Sequence, residues 1–126
     1  MIAFSFGNEA FNKEYTEQTI EILVDAKTKH QSPDAFAHSA LDYLDTEVYP
    51  GEGYIDLSYE GFTIEEKQYK DIILDYLLQM NHKIDIHLGE IKRTYRIKKQ
   101  VYDPYEIVYI AETEDEYVLI MWATTA

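Results

Sequence analysis

Carboxylates are the reactive side chains that this sequence supplies most densely, and seven of them fall in DTEVYPGEGYIDLSYEGFTIEE, residues 45–66. The stretch holds no lysine or arginine. Tyrosines stand among the acids, and a tyrosine brings a large contact area and a hydroxyl at low entropic cost. Acids and exposed tyrosines together favour docking to a surface rich in lysine and arginine. The candidate partner-binding residues are Asp45, Glu47, Tyr49, Glu52, Tyr54, Asp56 and Glu60.

A second acidic group lies nearer the C-terminus, in AETEDEY. Its ETED segment separates two apolar runs and is therefore predicted to be the loop of a hairpin. Such a loop would present its acids together as a second patch. The candidate partner-binding residues in this group are Glu112, Glu114, Asp115 and Glu116.

The net charge is −13, and it is unevenly distributed along the chain. Residues 30–66 hold nine acids and no base, residues 100–126 hold six acids and no base, and residues 67–99 hold four acids and eight bases. Such a charge distribution repels nucleic acid and anionic membranes and favours a cationic protein partner. Solubility alone is the simpler explanation. The excess is nevertheless larger than a small domain needs, and self-repulsion destabilises the compact state.

The bases are concentrated in KRTYRIKK, residues 92–99, which holds five of the eleven. In isolation this segment has the composition to contact phosphates and to stack a base on its tyrosine. Within this chain it lies between two acidic sectors, so ion pairing with the acidic excess is the favoured interpretation. Direct nucleic-acid binding is not predicted.

Motifs for catalysis or for a cofactor are absent from the sequence. There is no cysteine, no GxSxG and no glycine-rich phosphate loop. His82, Asp85 and His87 have the residue types of a metal site, but a strand places His82 on the face opposite the other two. Carboxylate pairs such as Asp42 with Asp45 can perform acid–base chemistry in a cleft, although a chain with 24 acids forms such pairs by chance. No catalytic residue, metal or cofactor is predicted, and a small carboxylate-dependent enzyme stays as an alternative.

Two helices are predicted among the elements that must position these residues. One starts at Ser32, a good capping residue, with Pro33 at its first position. The other starts at the capping-box spacing of Thr63 and Glu66. Its predicted buried stripe comprises Tyr69, Ile72, Ile73, Tyr76, Leu77 and Met80. Residues 11–29 fit a helix or a strand, and the β-branched TIEILV favours the strand.

Strands make up the rest of the prediction. Alternating apolar residues predict strands at residues 2–6, 54–59, 83–88 and 91–97. Gly89 between the last two marks either a tight hairpin or a bulge. Residues 105–112 and 116–123 are apolar on both faces, which places them at the centre of a sheet. Together the elements predict an α+β fold, a mostly antiparallel sheet with two helices packed against it, in a single domain spanning residues 1–126.

The composition favours a folded domain in the cytoplasm. With 46% hydrophobic residues the chain of 126 residues can bury a substantial core. The N-terminal segment has neither a basic start nor an apolar run long enough for a signal peptide. No stretch approaches the roughly 20 apolar residues of a membrane span.

In length, acidity, α+β pattern and lack of cysteine, and in stretches such as DTEVYPGEGYIDLSYEG and AETEDEYVLIMW, the chain resembles the small acidic immunity proteins with which bacteria neutralise nuclease toxins, including those of contact-dependent inhibition systems. The resemblance is one of type and brings over no functional residue. It implies a non-enzymatic cytoplasmic inhibitor that occludes the basic active or substrate-binding face of a cognate toxin, with a nuclease as the expected toxin. The charge is also compatible with a nucleic-acid mimic directed at a host DNA-binding enzyme, and with a subunit that simply needs solubility.

Overall fold

The computed structural model describes residues 1–6, 18–50, 59–81, 89–101, 103 and 105–124, which form six strands and two helices. The strands are β1 (Ile2–Phe6), β2 (Gln18–Ala26), β3 (Thr63–Glu66), β4 (Arg93–Lys98), β5 (Glu106–Glu112) and β6 (Glu116–Thr124). The helices are α1 (Pro33–Tyr43) and α2 (Lys70–Asn81). Every strand pair is antiparallel, so the predicted α+β fold of a sheet with two helices is confirmed. Neither α1 nor α2 is long and apolar enough to cross a membrane.

The two most apolar strands occupy the centre of the sheet, as predicted. The strand order is β1-β2-β6-β5-β4-β3. β5 and β6 pair from Glu106 opposite Ala123 to Glu112 opposite Tyr117. Successive side chains of a strand point to opposite faces, and most side chains of β5 and β6 are buried. Both faces of the sheet therefore need a covering layer.

Helix α1 covers one face, which is called the α1 face. Phe36 and Leu41 of α1 are fully buried against Leu23 of β2, Leu119 of β6 and Ile110 of β5. Each buried side chain of this size contributes about 1.5–3 kcal/mol relative to an exposed one. This cluster therefore fixes α1 on the sheet.

Helix α2 belongs to the opposite face. Its Ile73 and Leu77 pack in a second buried cluster with Ile22 of β2 and Ile120 of β6. The prediction that Ile72 is buried in the same stripe is wrong, because this side chain is 42% exposed. A helix turns by about 100° per residue, so the residue next to Ile73 points away from the sheet.

The start of α1 has the capping chemistry that the sequence predicted. Ser32 is the N-cap, its Oγ accepts a hydrogen bond from the Ala35 N–H at 3.0 Å, and Pro33 is the first helical residue. At the other end the helix widens into a π-helical turn, Leu44–Val48. The N–H of Tyr49 closes that turn by donating to the Leu44 carbonyl at 2.8 Å.

The predicted second helix starts later than expected. Thr63–Glu66 is not a capping box but strand β3, which pairs with β4 from Thr63 opposite Lys98 to Glu66 opposite Tyr95. Ile64 packs on the α1 face. Pairing with β4 thus outweighs the local capping signal, and α2 begins at Lys70.

Several predicted strands fall partly or wholly outside the described residues. β2 confirms the strand alternative for residues 18–26, whereas residues 11–17 are outside. The predicted strands at residues 54–59 and 83–88 are also outside, except for Tyr59, which is buried in the cluster on the α1 face. The choice between a hairpin and a bulge at Gly89 stays a prediction.

Removal of the α1 cap should destabilise the protein measurably. Ser32→Ala leaves the N–H of Ala35 without its acceptor, so the free energy of unfolding should fall by about 1 kcal/mol in urea titrations. Ser39→Ala, at an exposed position of the same helix, is the matched control and should change stability by less than about 0.5 kcal/mol. Equal effects of the two changes would contradict the capping role.

Candidate functional site

The end of α1 carries a group of acids that the structure leaves exposed or half-exposed. Asp42 and Glu47 are exposed and Asp45 is half-buried. The last turn of α1 and the π-helical turn after it contain no basic residue. None of the three carboxylates forms an ion pair within the part of the chain that the structure describes. These three residues are called the α1 acidic end.

Tyr49, predicted as an anchor for a partner, directs its hydroxyl toward the protein interior. The hydroxyl donates a hydrogen bond to Oε1 of Glu21 on β2. Ser5 on β1 donates to the other carboxylate oxygen of Glu21. Tyr49 itself is half-buried, so it joins the segment after α1 to the sheet.

Glu21 is a buried carboxylate that the sequence pattern did not mark as a site residue. Its residue is only 1% exposed. Burial raises the pKa of Glu21, and the hydrogen bonds from Ser5 and Tyr49 offset only part of that rise because they favour the ionised form. The signal available in the sequence was the segment TIEILVD, in which Glu21 shares a face with Leu23 on a strand covered from both sides.

The second acidic patch is the β5–β6 hairpin loop, and its members differ in environment. Glu114 and Asp115 are exposed, and Glu116 is half-buried. Thr113 closes the loop, because its N–H donates to the Glu116 carbonyl at 2.9 Å and its hydroxyl accepts from the Glu116 N–H at 3.0 Å. Glu114 and Asp115 are therefore the members of this patch that a partner can reach.

Glu112, by contrast, is engaged inside the protein. Its side chain is 13% exposed and lies 3.2 Å from the ammonium of Lys27. The Tyr95 hydroxyl donates to its other oxygen at 3.3 Å. Arg93 stands opposite Glu112 in the β4–β5 pairing. The pKa of Arg93 is raised first by the hydrogen bond between Arg93 and Tyr95, and the charge of Glu112 adds a smaller increase.

The structure separates the two patches along the sheet. Tyr49 meets the sheet at Glu21, which is opposite Met121, whereas the hairpin starts beside Glu116, opposite Ala26. From residue 21 to residue 26 a strand rises about 17 Å. Glu60 is exposed, and its carbonyl accepts a hydrogen bond from the side chain of Gln100, which places it near the far end of β4. Glu52, Tyr54 and Asp56 lie outside the described residues.

A second buried acid, Asp25, holds the connection from β2 to α1. Its Oδ2 lies 2.7 Å from Nε2 of His30, and the ring of His30 packs edge-on against Phe36 and Tyr117. Burial alone would raise the pKa of Asp25, but hydrogen bonds from His30 and from the N–H of Ala26, together with the N-terminal ammonium of Met1 3.4 Å away, bring it below its ordinary value. Asp25 is therefore a structural anion in the folded protein.

Most bases of the predicted basic segment pair with nearby acids. Lys92 lies 3.5 Å from Glu90, and Lys98 lies 3.6 Å from Glu65. Glu65 also pairs with Lys67 at 2.5 Å. These contacts agree with internal neutralisation as the role of the segment.

Histidine and serine side chains of this chain do not form a reactive group within the described residues. His82, Asp85 and His87 lie outside the described residues, and within them no three histidine, aspartate or glutamate side chains form a group able to hold a metal ion. His38 and Ser39 are both exposed, and His38 lies 3.6 Å from Asp34 of the same helix. They show no geometry of a nucleophile and its base.

Comparison with known proteins assigns no family. No protein-family model, no curated protein and no solved structure matches the chain. Geometry and charge are therefore the basis for a functional assignment.

Replacing Glu21 with glutamine should remove a penalty that grows with pH. The raised pKa means that the folded protein holds this proton more tightly than the unfolded chain, so stability is lost as pH rises above the ordinary value of 4.5. Glutamine cannot ionise. The free energy of unfolding of Glu21→Gln, measured relative to wild type in urea, should therefore increase between about pH 4 and about pH 8. A difference that is constant with pH would contradict the raised pKa.

Replacing Asp25 with asparagine should give the opposite dependence. The lowered pKa means that ionised Asp25 contributes stability that is present above 3.8 and is lost as the pH falls through the folded-state pKa. Asp25→Asn should cost about 1.5–3 kcal/mol at neutral pH, the range for hydrogen bonds to a charged group. The cost should shrink toward about pH 3 in the same urea titrations. A cost that persists undiminished in acid would show that the charge is not the cause.

Proposed function

We propose that the chain is a non-enzymatic inhibitor, an immunity protein that binds a basic toxin and occludes its active or substrate-binding face. A nuclease is the toxin that fits best, because an enzyme that grips nucleic acid needs lysine and arginine to contact phosphates. Carboxylates on the inhibitor then take the place of phosphates. The α1 acidic end is the observation that carries this proposal.

The α1 acidic end is costly for the protein on its own. A helix C-terminus bears a partial negative charge, so each acid there is unfavourable by about 0.3–1 kcal/mol. Asp42 and Asp45 are three residues apart, at which spacing like charges lose a further 0.2–0.5 kcal/mol or so. No base offsets these charges in either turn.

A cationic partner removes this cost when it binds. Its ammonium and guanidinium groups would interact with the helix end and the three carboxylates at once. Opposite fields also raise the association rate by about 10–1,000-fold at low salt. A surface that is unfavourable in the free protein and favourable in a complex is what a dedicated inhibitor requires.

The hairpin loop is a second acidic patch at a known distance along the sheet. Glu114 and Asp115 are exposed, about 17 Å of strand from the point where Tyr49 meets the sheet. An interface that buries about 800 Å² on each partner is roughly 30 Å across. A single basic protein of ordinary interface size can therefore contact both patches.

Charge reversal at the α1 acidic end should stabilise the free protein while it weakens binding. Asp45→Lys with Glu47→Lys changes the net charge from −13 to −9 and complements the helix end. The free energy of unfolding should rise by about 0.5–1 kcal/mol, and the gain should shrink in high salt. Urea titrations at two salt concentrations measure both effects.

The matched control makes the same change in net charge on the other face of the sheet. Asp71→Lys with Asp75→Lys alters two exposed acids of α2, one of them in the favourable first turn. This variant should be destabilised, because a lysine replaces an acid at the positive end of a helix. Stabilisation of both double variants by the same amount would mean that only total charge matters.

Partner capture tests the function itself. The wild-type chain, used as bait in its native host, should retain a basic protein in near-equal amount, and the added chain should abolish that protein's nuclease activity at one-to-one stoichiometry. Asp45→Lys with Glu47→Lys should weaken this binding at least about tenfold, and the α2 control should not. Capture of a host DNA-binding enzyme instead would favour the nucleic-acid mimic. Equal binding by the two variants would exclude the α1 acidic end as the contact.

A further inference from the structure

The sheet opens at one end, between β4 and β5. Their pairing stops at Arg96 opposite Tyr109. β4 nevertheless continues to pair with β3 as far as Lys98, and β5 continues to pair with β6 as far as Glu106. The C-terminal end of β4, after Arg96, and the N-terminal end of β5, before Tyr109, therefore lie apart, and a cavity of about 290 Å³ lies between them.

A buried lysine lines this cavity. The side chain of Lys99 is only 8% exposed, and its ammonium lies 3.6 Å from a carboxylate oxygen of Asp103 and 3.8 Å from one of Glu106. It also lies 5.0 Å from the centre of the Tyr59 ring. Burying an ammonium is unfavourable unless partners replace its water, and neither carboxylate is within ordinary hydrogen-bond distance. The ammonium therefore keeps capacity for a closer acceptor.

Apolar residues form part of the cavity wall beside Lys99. Ile97, Ile107 and Val108 contribute from the two strands, and Val101 contributes from the connection between them. Val101 is 63% exposed and places an apolar group at the rim. Small-ligand sites combine such walls with a few charged groups that fix orientation.

We propose that this cavity binds a small organic acid, with the ligand carboxylate on the ammonium of Lys99 and its apolar body against Val101, Ile107 and Val108. Among the described residues of the lining, three are bases, Arg96, Lys98 and Lys99, and two are acids, Asp103 and Glu106. Lys98 already pairs with Glu65, so the ammonium of Lys99 is the group that favours an anion. This inference does not depend on the inhibitor function, because the cavity involves none of the residues of the α1 acidic end or the hairpin loop.

Asp103 is the group that the ligand displaces. It is the more exposed of the two acids beside Lys99, with 39% of its side chain accessible against 20% for Glu106. It also lies on the connection rather than in a strand. An incoming carboxylate can therefore replace Asp103 on Lys99 while Glu106 stays in place.

Titration with benzoate tests the proposal, because benzoate is a carboxylate with an apolar body. Saturable shifts should occur in the amide resonances of Lys99, Val101, Ile107 and Val108 in nitrogen–proton NMR spectra of the full chain. Benzamidine has a similar shape and the opposite charge, so it should produce none of these shifts. No saturable shift with benzoate, or equal shifts with both probes, would overturn the proposal.

Two substitutions should move the benzoate affinity in opposite directions. Lys99→Met should weaken it at least about tenfold, the effect of losing a hydrogen bond to a charged group. Asp103→Asn should strengthen it by roughly threefold, because a weak surface ion pair no longer competes. Lys92→Met removes the same charge at an exposed site at the other end of β4 and should have no effect.

The Asp103 variant keeps the test decisive if the Lys99 variant does not fold. A dispersed NMR spectrum shows whether Lys99→Met retains the native structure. If it does not, an unchanged or weakened affinity of Asp103→Asn for benzoate overturns the proposal. If both variants fold, equal affinities of Lys99→Met and wild type for benzoate overturn the proposal.

Discussion

Two neighbouring strands that are apolar on both faces set the main constraint on this fold. β5 and β6 expose almost no side chain to water, so each face of the sheet must be covered. α1 and α2 supply one layer each, and they do so with short apolar stripes rather than with wholly apolar helices. The charged residues of these two strands, Glu106, Glu112 and Glu116, all stand at strand ends.

A few acids lie beneath the helices or at the edges of the buried clusters, and each of them has polar or charged partners. Glu21 has two hydroxyl partners and Asp25 has an imidazole and a backbone N–H. Both are satisfied by hydrogen bonds, yet their pKa values shift in opposite directions because the balance between burial and hydrogen bonding differs. Glu112 forms an ion pair with Lys27, and Asp25 likewise lies 3.5 Å from the ammonium of Lys29.

Local sequence signals predicted the fold correctly where a single effect, helix capping or burial of apolar residues, determines the structure. Ser32 and Pro33 fixed the start of α1, and the continuous apolar runs identified β5 and β6 as central. The prediction that a helix starts at Thr63 and Glu66 was wrong. A capping-box spacing is also compatible with a strand, and only pairing with the neighbouring β4 decides between the two. The buried roles of Glu21 and Lys99 were not predictable locally, since each depends on side chains distant in sequence.

The same reasoning explains why the acidic surface was only partly predictable. Composition predicts an excess of carboxylates, but it does not say which of them face inward, and Glu112 and the hydroxyl of Tyr49 do. Composition also does not reveal that the C-terminal end of α1, which carries the negative end of the helix dipole, lies at Asp42, Asp45 and Glu47. Glu21 then matters indirectly, because it binds Tyr49 just beyond these acids and so holds them at a defined place on the sheet. A buried acid with a raised pKa and an acidic helix end are both unfavourable for stability. Tyr49 links these two unfavourable features, because it follows the acidic helix end and donates its hydroxyl hydrogen to Glu21.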